Sequence, residues 1–167
     1  MSIYFVIGGA RSGKSTFAEQ IVKEKYDNVT YIATATVTDK NMEERIRLHR
    51  LQRPKYWKTI EIYKDFEKLR ENIDFISSEA ILLDCITIMV TNLMIDSNIN
   101  FDNCSTKELK KLEENIIYNI DNLINICKEH EKDLFIVSNE TGLGIVPSFY
   151  MANYFRDIGG RANRKIA

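Results

Sequence analysis

"VIGGARSGKSTFAEQIV", residues 6–22, decides the fold of this chain. An apolar run over 3–7 leads into glycines, and Phe17, Ala18, Ile21 and Val22 then recur at helical spacing, so the stretch reads as strand, loop, helix. Gly8, Gly13, Lys14 and Ser15 fill the pattern G-x-x-x-x-G-K-[ST] between that strand and that helix, the context the pattern requires. Glycine admits backbone conformations and close approaches denied to other residues. Successive N–H groups of Gly8, Gly9, Ala10, Arg11, Ser12 and Gly13, with the helix N-terminus, are therefore able to surround phosphate oxygens. Lys14 is expected to reach the β- and γ-phosphates and Ser15 to ligate Mg²⁺. A glycine-rich turn that binds nothing is the competing reading, and the specificity of the pattern in this context disfavours it.

The alternation continues outward. "VTYIAT" (29–34) reads as a buried strand, 41–52 as a charged helix stopped before Pro54, and "KTIEIY" (58–63) as a short strand. The spacing of Phe66, Leu69, Ile73 and Ile76 predicts one amphipathic helix, and "AILLD" (80–84) is a strongly buried strand. "ITIMVTNLMI" is apolar almost all round and predicts a helix lying against the sheet, with a polar loop near 97–105. A helix over 107–128 should turn Leu109, Leu112, Ile116, Ile120, Leu123 and Cys127 inward; "DLFIVSN" (133–139) is a third buried strand, and a last helix starts near Ser148. Such an order predicts an α/β protein with a mainly parallel sheet covered by helices on both faces; with the glycine loop the expectation is a P-loop NTPase, and RecA-like architecture is the form expected of it. Ligands belong at the carboxyl ends of its strands.

With 167 residues and 44% apolar content, the chain builds one core, read as a single nucleotide-binding domain over 1–167. Lys plus Arg total 23 against 24 for Asp plus Glu, so no strong field recruits nucleic acid or an anionic membrane, and small molecules are the expected partners. Cys85, Cys104 and Cys127 are odd in number and widely spaced, which suits packing roles in a reducing cytoplasm. The first residues lack the pattern of a signal peptide. The longest apolar run carries Asp84 and is too short to span a membrane.

Beyond the loop, Asp84 ends an apolar strand at the edge where the phosphates belong, and so either supports Mg²⁺ or caps the next helix. Glu140, in "SNETGLGIVP", either orients an acceptor hydroxyl or a metal-bound water, or is a solvated loop acid. His130 reads as a solvated residue at a helix end. His49 shares a helical face with Arg45, and Arg47, Arg50 and Arg53 lie nearby, a cluster suited to a triphosphate. Neighbouring positive charge favours the neutral, nucleophilic imidazole and would stabilise an attacked phosphoryl group. His49 also follows Met42 and Ile46 on an apolar stripe, so a half-buried packing role stays open. For Trp57, beside Tyr56, core anchoring competes with stacking on a flat ligand.

Taken together, "GGARSGKS", "YIATAT", "MEERIRLHRLQRPKYWKTIE", "ILLDCITIMVTNL", "VSNETGLGIVP" and "FRDIGGRANRKIA" resemble the bifunctional adenosylcobinamide kinase / adenosylcobinamide-phosphate guanylyltransferase family of cobalamin synthesis. The resemblance runs from Ile3 to the last residue. It implies phosphorylation of the aminopropanol hydroxyl of adenosylcobinamide by ATP or GTP, then transfer of GMP from GTP to that phosphate through a guanylylated histidine, here His49. It also implies nucleotide contacts at residues 8–15, at Ala33, Thr34 and Ala35, at Arg50, Leu51, Gln52 and Arg53, and at Glu61 and Asp84. A homotrimer is a further, weaker implication. Family members usually continue into a final strand and short tail, so the expectation is a chain that lacks that strand or has been cut before it. Two rival readings remain: another small-molecule P-loop kinase in which His49 only packs, or an NTP-dependent switch.

Overall fold

The structure is a computed structural model that describes residues 1–36, 47 and 53–167. Of the helix expected over 41–52 only residue 47 is among the described residues, and His49, Arg50, Leu51 and Gln52 lie outside them. Along the chain run β1 (Ile3–Gly8), α1 (Lys14–Lys25), β2 (Val29–Ala33), β3 (Lys58–Glu61), a 3-10 helix (Phe66–Glu71), α2 (Ile73–Ser77), β4 (Ala80–Asp84), α3 (Ile86–Asp96), α4 (Thr106–Glu129), β5 (Asp133–Asn139) and α5 (Tyr150–Ile166). Strand order is β1-β5-β4-β2-β3, and every pairing is parallel. One strand thus stands between β1, which carries the glycine loop, and β4, which carries Asp84, the arrangement of a RecA-like P-loop NTPase.

Alternation along the central strands divides the core in two. Ile32, Ile81, Leu83, Leu134 and Ile136 point into a cluster with α3, α4 and α5. Tyr31, Ala80, Leu82, Phe135 and Val137 point the other way, against Ala18 and Val22 of α1 and against Trp57. This period of two, with both faces apolar, makes β4 and β5 continuous hydrophobic runs and puts them in the middle of the sheet. Burying each such Leu, Ile or Phe side chain contributes about 1.5–3 kcal/mol. The edge strands are less committed: Ile3 and Ile7 of β1 remain exposed. Trp57 is a core anchor on the smaller face.

A single amphipathic helix through Phe66, Leu69, Ile73 and Ile76 does not form. Asn72 takes an extended conformation between two short helices, and its side chain accepts a hydrogen bond from Phe75 N at 3.1 Å, capping α2. Phe75 therefore joins Phe66 and Leu69 in the core, and Ile73 is 74% exposed. His130 is likewise not a freely solvated terminus. It caps α4 and lies edge-on to Phe75, with ring centroids 5.4 Å apart.

Candidate active site

The phosphate loop owes its shape to three local facts. Gly13 sits at φ +82°, a left-handed conformation that favours glycine. A Cβ on Gly8 would lie 2.8 Å from Ser12 Oγ, so a larger residue there would turn the Ser12 hydroxyl aside. Gly13 caps α1 without a side chain, which leaves the first-turn N–H groups available to an anion. Lys14 Nζ donates to Gly9 O at 3.1 Å and Ser12 N to the same carbonyl at 3.3 Å, so the ammonium lies folded over the loop.

Strand register assembles the remaining candidates. Gly8 pairs with Asn139, Ala33 with both Asp84 and Glu61, and all belong to the carboxyl ends of their strands. Glu140 N donates to Gly8 O at 2.9 Å, fastening the start of the loop after β5 to the start of the phosphate loop. The Glu140 carboxylate turns back on its own loop and accepts from Gly142 N. Beyond it, Leu143, Ile145 and Phe149 are largely exposed.

Thr34 is fully buried and acts as a brace. Its Oγ1 donates to Cys85 O and accepts from Cys85 N, each at 2.8 Å, and its carbonyl accepts from Asn92 Nδ2 at 2.7 Å. The side chain is thereby committed to joining β2 to the start of α3. Ala33, Ala35, Thr36 and Glu61 line a pocket of about 480 Å³ that continues along residues 62–65 to Lys68.

Asp84 is half-buried, and Tyr31 OH donates to its Oδ2 at 2.9 Å. Burial first, and then the Asp84 charge, hold the Tyr31 phenol well above its ordinary range, so it remains a donor. The Arg53 guanidinium lies 3.6 Å from the centroid of the Tyr31 ring, inside the protein. Nη1 of Arg53 donates to Thr59 Oγ1 at 3.4 Å, and Nε lies 4.0 Å from Glu19 Oε1. Burial pushes the Glu19 carboxyl up to about 7; Arg53 opposes that rise and Asp84 adds to it.

A second polar seam holds the end of β5. Ser138 Oγ donates to Asn163 Oδ1 at 2.6 Å, Asn163 Nδ2 to Asn139 O at 3.1 Å, and Asn139 N to Thr87 Oγ1 at 2.8 Å. Sequence reasoning missed Tyr31, Glu19, Thr87, Asn92 and Asn163. Their only signal is a polar group inside an apolar run or helix, and that does not say which partner satisfies it.

Over residues 4–167 the chain matches the family model described as cobinamide kinase / cobinamide phosphate guanyltransferase. It is 40% identical over 162 residues to the bifunctional adenosylcobalamin biosynthesis protein CobU of Escherichia coli (strain K12), a match covering 97% of this chain and 88% of that protein. CobU of Salmonella typhimurium matches to the same extent. The bifunctional adenosylcobalamin biosynthesis protein CobP of Pseudomonas aeruginosa is 34% identical over 163 residues, covering 97% of this chain and 85% of its own. Among solved structures, a KaiC-like protein, PH0186, from Pyrococcus horikoshii OT3 aligns with a TM-score of 0.47 at 13% identity, covering 95% of this chain and 67% of that one.

Proposed function

This chain belongs to the cobinamide kinase / cobinamide phosphate guanyltransferase family, and we propose that its two reactions share one triphosphate-binding edge and differ in the phosphorus attacked. It is a transferase that phosphorylates adenosylcobinamide with an NTP and transfers GMP from GTP to adenosylcobinamide phosphate, giving adenosylcobinamide-GDP in cobalamin biosynthesis. The observation that carries the proposal is the strand register, in which Gly8, Ala33, Glu61 and Asp84 end at one edge of the sheet.

In the kinase reaction the acceptor hydroxyl oxygen attacks the γ-phosphorus, the bond from that phosphorus to the β,γ-bridging oxygen breaks, and the hydroxyl proton passes to solvent water. Lys14 and the loop N–H groups neutralise charge that spreads over the phosphoryl oxygens. Ser15 and Asp84 would hold Mg²⁺: both offer hard oxygen donors, and Tyr31 orients the carboxylate from behind. When bound, that ion would supply neutralisation of the charge that develops on the triphosphate.

In the guanylyl transfer a nitrogen of neutral His49 attacks the α-phosphorus of GTP and pyrophosphate leaves. An oxygen of adenosylcobinamide phosphate then attacks the same phosphorus, the P–N bond breaks, and His49 is restored. This divides one displacement into two. The α- and γ-phosphorus atoms lie about 5 Å apart in space, so the nucleotide or the His49 segment shifts between the two reactions. The pocket beside Ala33, Ala35 and Glu61 is the seat assigned to guanosine, with the Glu61 carboxylate accepting from guanine N–H groups. Residues 50–53 complete the nucleotide contacts. A cytoplasmic location belongs to the same proposal, since both nucleotides are supplied there and the three cysteines stand as free thiols. No helix among the described residues is long and apolar enough to cross a membrane.

Incubation with GTP labelled at the α-phosphate, followed by denaturation, tests the covalent step. The expected label is lost in acid, survives alkali and is absent from His49→Ala. An unlabelled wild-type protein that still phosphorylates adenosylcobinamide would remove His49 from the mechanism.

A further inference from the structure

We propose that Tyr31 is a positioning residue with two handles, its hydroxyl holding Asp84 and its ring face holding Arg53, and that through them it serves both reactions of the enzyme. The inference rests on the proposed function and adds residues to it that neither the motif nor the register includes. Tyr31 is 4% exposed and Arg53 8%, so both contacts are made inside the protein. The hydroxyl donates to Asp84 Oδ2 at 2.9 Å; on the ring face the Arg53 guanidinium centre lies 3.6 Å from the centroid.

Geometry explains why one residue is able to do both. Tyr31 pairs with Leu82 on one side and Thr59 on the other, while Ala33, two residues on, pairs with Asp84. Tyr31 and Asp84 therefore sit diagonally across two adjacent parallel strands, and a phenol spans the gap that a shorter side chain would leave. Arg53 reaches across the neighbouring pair, β2 and β3, since it stacks on Tyr31 and its Nη1 bonds to Thr59, the residue paired with Tyr31. Glu19 of α1 closes the far side of the guanidinium at 4.0 Å. A flat cation enclosed by an aromatic face, a hydroxyl and a carboxylate is held in orientation as well as in place. The side chain of Arg53 is accordingly a fixed anchor four residues beyond His49 in the sequence.

The two handles are separable by substitution. Tyr31→Phe deletes the hydroxyl and keeps the ring; Arg53→Lys keeps a cation and loses the planar stack. Expected for Tyr31→Phe is a kinase kcat lowered about tenfold with the nucleotide KM within twofold, the size of one hydrogen bond to a charged group, while His49 guanylylation falls less than threefold. Its nucleotide binding, read from the fluorescence of Trp57, the only tryptophan, should lose about tenfold of the gain that Mg²⁺ confers. In an Asp84→Ala background, where no side-chain oxygen remains to accept the hydroxyl, Tyr31→Phe should add nothing further. Arg53→Lys should show the opposite split, with guanylylation reduced more than phosphorylation. Equal losses of both reactions in both variants, or an unaltered Mg²⁺ gain in Tyr31→Phe, would overturn the inference. Thermal unfolding of each variant separates these outcomes from a general loss of structure. A wild-type protein that never takes the α-phosphate label would defeat the proposed transferase step, whereas the Mg²⁺ gain would still decide whether Tyr31 holds Asp84.

Discussion

Thr34 and Cys85 grip each other twice, hydroxyl to carbonyl and amide to hydroxyl, both at 2.8 Å and both out of contact with solvent. The pair joins the end of β2 to the residue that follows Asp84, so it holds two parts of the candidate site at one spacing. Thr34→Val keeps the shape and removes both bonds, leaving a buried carbonyl and a buried amide without that partner. A loss of about 2–4 kcal/mol is expected, with Thr34→Ser retaining most of the stability; denaturant unfolding of the two variants checks it.

Glu19 makes stability depend on pH. Its folded pKa is raised from 4.5 to about 7, so between those values the folded state holds the proton more tightly than the unfolded chain does. Stability therefore falls as pH rises through this window and levels off above about 7. The fall due to this group across the whole window is about 3 kcal/mol. Glu19→Gln should abolish that slope, which unfolding free energies measured between pH 5 and about pH 8 would reveal.

Thiol chemistry should separate the three cysteines. Burial pushes Cys85 up to about 11 and Cys127 up to about 12, so both stay protonated and shielded near neutral pH. Cys104 is only partly buried. Native protein treated with a thiol reagent at about pH 8 should be labelled first at Cys104, and all three cysteines should react in denaturant; peptide mass analysis identifies the order.

His49→Ala and Lys14→Ala should fail differently. Removal of His49 eliminates the covalent GMP adduct and spares phosphorylation of adenosylcobinamide, because no histidine takes part in that step. Removal of Lys14 withdraws a charge from the triphosphate in both reactions, and each should slow by about 10²–10³-fold. Paired assays with γ- and α-labelled nucleotide distinguish the two patterns.

Much of the fold was legible because its signals are local. Gly8, Gly13, Lys14 and Ser15 announce a phosphate loop through spacing alone, and the stripe from Leu112 to Cys127 announces α4 through its period. The misreading at 66–76 has a local cause too. Phe66, Leu69, Ile73 and Ile76 satisfy a helical period, but Asn72 offers its side chain as a cap, and a fresh helix start then sends Phe75 inward instead.

The amino-acid sequence by itself determined the strand, loop and helix at residues 6–22, the alternating order that makes the sheet parallel, and the family to which the chain belongs. Those properties depend on residue type at fixed short separations. Tertiary structure alone decided that β5 lies between β1 and β4, that Ala33 stands beside both Asp84 and Glu61, and that Tyr31 holds Asp84 by its hydroxyl and Arg53 by its face. Residues 53 and 84 flank Tyr31 in space while lying 22 and 53 positions away along the chain. No local period encodes such a meeting. It is set by which strands pair, in what register, and by the need of each buried polar group for a partner.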